Sequence, residues 1–105
     1  MPNKYRAKKV KTSDGTFASQ AEYRRWCELK LMERAGEIKG LKRQGKYWLH
    51  VKGDVIGYYR DDFNYFDNDG HLIVEDVKGV KTPVYRLKKK LMRAIHGIEI
   101  TEVAA

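Results

Sequence analysis

The sequence predicts an α/β fold, bordering on α+β, with a mixed sheet flanked by helices. Three stretches predict it. Ser19-x-x-Glu22 is a capping box, and it opens a segment with apolar residues at helical spacing. Two runs rich in β-branched and aromatic residues flank Asn68-Asp69-Gly70, the pattern of a β-hairpin. Thr82-Pro83 starts a second helix, and an alternating segment follows it, which suggests a right-handed crossover to a parallel strand.

The chain of 105 residues suits one small domain, placed at residues 16–105 after a basic arm at residues 1–15. That arm carries Lys4, Arg6, Lys8, Lys9 and Lys11 with almost no apolar periodicity, a pattern able to follow a phosphate backbone. The first helix is expected to run from the Ser19 cap to about Ala35, with Gly36 as its stop. Tyr23, Trp26, Leu29 and Met32 mark its apolar side, and Glu22 lies at the edge of that stripe. The cap accounts for Glu22; a carboxylate aimed inward at a cation accounts for it as well.

Residues 40–51 read as one strand, residues 52–54 as a turn and residues 55–66 as a second strand. Residues 71–78 supply the third strand. Tyr47, Trp48, Tyr58 and Tyr59 are expected to pack the sheet rather than to stack bases. The second helix, from Thr82 to Gly97, is expected to bury Val84, Leu87, Leu91 and Ile95. Arg86, Lys89, Lys90 and Arg93 line its other side. Residues 98–103 alternate as the final strand.

Net charge of +8 favours a polyanionic partner, most simply nucleic acid. No apolar run is long enough for a membrane span or secretory signal. Cys27 is the only cysteine, which excludes a disulfide framework and suits an intracellular setting.

The hairpin carries the candidate chemistry. With Asn68-Asp69-Gly70 as its loop, Asp67 pairs with His71, and the same register sets Asp62 opposite Asp76. Lys78 then projects from the face that carries Asp76. Like charges directly across a sheet, with Cβ atoms about 5 Å apart, are destabilising. A shared divalent cation removes that penalty. Asp61 faces the other side, so the register selects Asp62. Gln44 is expected near Asp62 across the first strand pair. His50, His71 and His96 have no metal-ligand spacing among them.

The order of helix, three-strand meander, helix and strand, joined to Asp62 and Asp76-Val77-Lys78, resembles the PD-(D/E)xK nuclease superfamily. It is most similar to small phage-encoded endonucleases, a group that includes Holliday-junction resolvases. The matching motifs are Phe17-Ala-Ser19-Gln-Ala-Glu22, Asp62-Phe63 and Glu75-Asp76-Val77-Lys78-Gly79, within a likeness spanning about residues 4–103. The motif's proline is absent, because Asp61 precedes Asp62.

The resemblance implies an αβββαβ restriction-endonuclease-like core and metal-dependent hydrolysis of DNA. It implies Glu22, Asp62, Asp76 and Lys78 as catalytic residues. Asp62 and Asp76 would bind Mg²⁺, with Mn²⁺ substituting, and the Val77 carbonyl would add a ligand. Glu22 would act directly or through water. Gln44, Tyr85 and Lys88 are expected to support the site. Lys81, Arg86, Lys89, Lys90 and Arg93, with the arm, are expected to contact DNA. Branched DNA is the first substrate expected, and a junction with two strands to cut suggests a homodimer. A nicking or processing endonuclease, and a non-catalytic DNA-binding module, are the alternatives.

Overall fold

Two cores lie on opposite faces of one sheet, and the alternation of β-strand side chains assigns residues to each. The computed structural model describes residues 8–105. In chain order its elements are β1 (Val10–Thr12), β2 (Gly15–Phe17), α1 (Gln20–Arg34), β3 (Lys39–Arg43), β4 (Lys46–Val51), β5 (Asp54–Arg60), β6 (Phe63–Phe66), β7 (Leu72–Lys78), α2 (Pro83–His96) and β8 (Thr101–Ala104). The fold is mixed α/β, as expected. The main sheet has the order β3-β6-β7-β8, antiparallel except for the β7–β8 pair, which is parallel.

Along β7, successive side chains leave on opposite faces. Val74 enters a core with Leu49, Tyr59, Tyr85, Met92 and Ile100, beneath α2 and the β4–β5 hairpin. Ile73 and Val77 pack against the other core, built from Phe17, Leu29, Ile38, Phe63 and Tyr65 beneath α1. Leu29 is fully buried, and Tyr23, Trp26 and Met32 pack around that core, so the expected apolar side of α1 is the buried one.

The helix ends obey their local signals. Ser19 Oγ accepts from the Glu22 N–H at 3.1 Å, and Thr82 Oγ1 accepts from the Tyr85 N–H at 3.1 Å. Gly97 closes α2 in the left-handed conformation, at φ 68°. The hairpin register is also as expected. Asp67 N–H donates to His71 O at 3.0 Å, Gly70 has φ 83°, and the ladder runs from Phe66–Leu72 to Phe63–Glu75.

Four expectations are corrected. The end of the segment expected as a basic arm is structured, because β1 lies within it and pairs with β2, which runs on to Phe17. Lys8, Lys9 and Lys11 are exposed, while Lys4 and Arg6 lie outside the described residues. The expected strands at 40–51 and 55–66 are each broken in two. The register is kept across the break, Arg43 opposite Phe63 and Lys46 opposite Arg60, with shifts farther out between Lys39 and Lys42 and between Leu49 and His50, but β4–β5 leaves the main sheet as a separate ribbon.

The break is polar. Gln44 takes φ 56°, and the buried Asp61 carboxylate accepts from Gly45 N–H at 2.8 Å, Tyr47 Oη at 2.6 Å and Asn64 Nδ2 at 2.9 Å. Those bonds brace the bend, which two backbone bonds also cross: Gln44 N–H donates to Asp62 O at 3.3 Å and Asp61 N–H to Gly45 O at 3.0 Å. A Cβ at residue 45 would meet Asn64 Nδ2 at 2.7 Å and Asp61 Oδ2 at 2.8 Å, so the bend also needs a glycine.

In α2 the buried side is rotated from the one expected. Tyr85 and Met92 are buried, with Leu91 and Ile95 half-buried, whereas Val84 and Leu87 are 62% and 58% exposed. Tyr85 takes the inward position in the first turn and turns its neighbours outward. The last correction is to the final strand, which begins at Thr101; Ile98 and Ile100 instead fill the core ahead of it.

Candidate active site

Three elements converge at one end of the main sheet. Glu22 comes from the first turn of α1, Asp62 from the approach to β6, and Asp76 and Lys78 from β7. Glu22 and Asp76 are buried and Asp62 is half-buried. The ladder stops at Phe63–Glu75, one pair short of the expected Asp62–Asp76 pair. Asp62 turns to the β7 backbone instead: its N–H donates to Glu75 O at 3.0 Å, and its Oδ2 accepts from Val77 N–H at 2.7 Å.

This arrangement loads Asp62 electrostatically. Burial pushes its carboxyl up to about 8, the charges of Asp76 and Glu22 push the same way, and the Val77 N–H opposes them. Asp76 Oδ2 accepts from Tyr59 Oη at 2.6 Å, and Asp76 Oδ1 lies 3.3 Å from Lys78 Nζ. The Lys78 ammonium also sits over the Tyr85 ring at 4.3 Å. The tyrosine hydroxyl beside Asp76 is held well above its ordinary range by burial and by that carboxylate.

Glu22 departs in part from the expected capping box. Its backbone joins the Ser19 cap, but its side chain reaches past Ser19 to accept from the Ala18 N–H at 3.3 Å. Arg43 Nη2 lies 3.6 Å away, with its guanidinium 3.7 Å above the Phe17 ring. Arg43 was not among the expected site residues. Its place follows from the bend after β3, which no local pattern in the sequence marks.

Of the residues expected to support the site, Tyr85 and Lys88 lie beside Asp76, and Gln44 approaches Asp62 by its backbone alone. Gln44 N–H donates to Asp62 O at 3.3 Å, while its side chain is exposed. Tyr85 and Lys88 line a cleft of about 260 Å³ with Tyr58, Tyr59, Arg60, Asp76 and Lys78. The expected DNA-contacting residues Lys81, Arg86, Lys89, Lys90 and Arg93 line a separate groove beside α2. That groove is mixed in charge. Glu102 binds Lys81 at 2.8 Å and Lys89 at 3.2 Å, and these contacts with the Tyr85 hydroxyl hold its carboxyl down at about 2. Arg93 lies 3.7 Å from Glu99, so Arg86 and Lys90 are the groove's cations outside these ion pairs.

Two other acidic groupings are separate from this site. Glu75, on the opposite face of β7, accepts from Arg25 at 2.8 and 2.7 Å and from the Tyr65 hydroxyl. At the hairpin tip, Asp67, Asp69 and His71 bring ligand atoms within 4.8 Å of one another. Among the described residues they alone do so as a trio; Glu22, Asp62 and Asp76 are more widely set. The tip already uses Asp67 Oδ1 to accept from the Asp69 and His71 N–H groups, each at 2.9 Å, as a turn of this kind requires.

Among the described residues, no helix is long and apolar enough to cross a membrane. No curated protein and no solved structure matches the chain. Over residues 2–102 the sequence matches one family model, and the chain therefore belongs to the family described as Protein of unknown function (DUF1064).

Proposed function

We propose that the protein is a divalent-metal-dependent endodeoxyribonuclease of the PD-(D/E)xK type, acting on branched DNA. One observation carries this reading. Carboxylates from three separate stretches gather beside a lysine, and burial, with the charges of Asp76 and Glu22 added to it, pushes the Asp62 carboxyl up. Such perturbed groups concentrate at functional sites.

A dication fits the donor set, because carboxylates are hard oxygen ligands and extra positive charge relieves the field at Asp62. Asp62 and Asp76 would hold Mg²⁺ or Mn²⁺ with the Val77 carbonyl. Glu22 would act directly or through water. When bound, the ion supplies Lewis acidity and a more acidic water.

The chain's own groups do the rest. Lys78, beside Asp76, is placed to orient a water or to donate to a phosphoryl oxygen as negative charge builds there. Tyr59 holds Asp76 in place through its hydroxyl. Arg60 and Lys88 bring positive charge to the cleft, and Arg86 and Lys90 to the groove beyond it. A homodimer would present two such sites to a junction. Lone Cys27 suits work in a reducing, intracellular compartment.

Cleavage of supercoiled, linear and four-way-junction DNA with Mg²⁺ or EDTA tests the reading. Cleavage should need the metal and favour the junction. Asp76→Asn and Lys78→Ala should each lower it by about 10²-fold or more while DNA is still bound. Equal cleavage of all three DNAs would select a nicking or processing enzyme. Binding with no cleavage under any divalent metal would select a DNA-binding module.

A further inference from the structure

We propose that the outer face of the β4–β5 ribbon is a stacking platform for an unpaired DNA base beside the candidate active site. The inference rests on the nuclease reading for its substrate and adds which part of that substrate the ribbon holds.

Trp48 and Tyr58 are cross-strand partners, with ring centroids 6.0 Å apart in an edge arrangement. Their neighbours along the ribbon, Tyr47 and Tyr59, point inward to Asp61 and Asp76, so alternation turns Trp48 and Tyr58 outward. They are 49% and 39% exposed. Sheet packing therefore accounts for one aromatic pair and leaves the other in solvent.

The exposed pair is surrounded by cations. Lys46 Nζ lies 4.5 Å from the Trp48 ring and 4.3 Å from the Tyr58 ring. Lys88 and Arg60 lie 5.3 and 5.8 Å from the Tyr58 ring. Aromatic faces among lysines and arginines suit a nucleotide, whose base stacks while its phosphate meets the cations. An apolar peptide would leave those cations unmatched, and an acidic peptide would leave the rings unused.

The ribbon is held firmly. His96 Nε2 lies 2.7 Å from Trp48 O, tying it to α2, and Leu49 and Tyr59 are buried beneath it. The platform also adjoins the candidate chemistry, because Tyr58, Arg60 and Lys88 line the cleft that holds Asp76 and Lys78. A duplex keeps its base faces stacked inside the helix; a junction, flap or single strand exposes them.

The test is metal-free binding, read by fluorescence anisotropy, of a labelled oligothymidylate, an abasic oligonucleotide of equal length and a blunt duplex. Trp48→Ala/Tyr58→Ala should weaken oligothymidylate binding about tenfold or more and change the other two less than about twofold. Trp48→Phe/Tyr58→Phe, which keeps the rings, should stay near wild type and guards against loss of fold. Equal affinity of wild type and the alanine variant for oligothymidylate would overturn the platform, as would an equal loss on all three ligands. Mg²⁺-dependent cleavage by the same proteins is scored separately. Wild type that binds through the rings but never cuts leaves the platform standing and removes the nuclease.

Discussion

Glu75 and Asp76 are neighbours in β7, leave it on opposite faces and meet opposite environments. Glu75 is fully matched. Arg25 grips both its oxygens, the Tyr65 hydroxyl adds a third donor, and the pair pushes the Arg25 guanidinium well above its ordinary range. Asp76 shares its end of the sheet with Asp62 and Glu22, and the cation in contact with it is Lys78, part-exposed at the edge of a cleft. A buried carboxylate with its counter-charge in place stabilises one conformation. A group of carboxylates short of positive charge raises the free energy of the metal-free fold, and under the nuclease reading a bound cation would relieve it.

The sharpest way to break this contrast is to remove one partner of the matched pair. Arg25→Ala leaves Glu75 buried without its cation and should destabilise the protein by about 3–5 kcal/mol, read by denaturant unfolding. A loss below about 1 kcal/mol would make Glu75 no better anchored than an exposed carboxylate.

pH separates the two faces next. The Asp62 carboxyl is raised to about 8, above its unfolded value of about 4. The folded chain therefore holds this proton more tightly than the unfolded chain does. The resulting stability is complete below about pH 4 and is lost as pH rises towards 8. In EDTA, the melting temperature should fall over that window in wild type and fall less in Asp62→Asn. Mg²⁺ should raise the wild-type melting temperature more at pH 8 than at pH 5. Parallel curves for the two proteins would mean that Asp62 carries no unusual proton.

Glu22 provides the smallest and finest test, because it belongs to a helix cap and to the carboxylate group at once. Glu22→Gln keeps a side chain suited to the cap and should lower cleavage about tenfold with little change in stability. Ser19→Ala should do the reverse, with a loss of about 1 kcal/mol and normal cleavage. Full activity in folded Glu22→Gln protein would return the residue to capping alone.

Much of this was legible because local signals were unambiguous. Asn68-Asp69-Gly70 set the hairpin register, and Ser19 and Thr82-Pro83 set the starts of both helices. The sheet bend was hidden, because Gln44 is not a residue that announces a positive φ, and the buried acceptor that stabilises the bend lies 16 residues from Gly45. The first hairpin carried a visible turn signal in Ser13-Asp14-Gly15, set among basic residues. Arg43 and the matched pair of Arg25 with Glu75 depend on contacts between distant elements, which spacing along one element does not encode. Trp48 and Tyr58 had the right composition for stacking, but exposure is decided by the fold.

Asp61 and Asp62 are joined by one peptide bond, and they serve different parts of the molecule. Asp61 fastens the root of the aromatic ribbon through Gly45, Tyr47 and Asn64, and Asp62 begins the carboxylate group. The ribbon and the carboxylates thus have no free linker between them. Under the nuclease reading this makes the molecule a ruler: a base seated on the ribbon fixes how many nucleotides away the backbone is cut. The distance from the unpaired base to the cut would then be a property of the protein's covalent frame rather than of the DNA sequence.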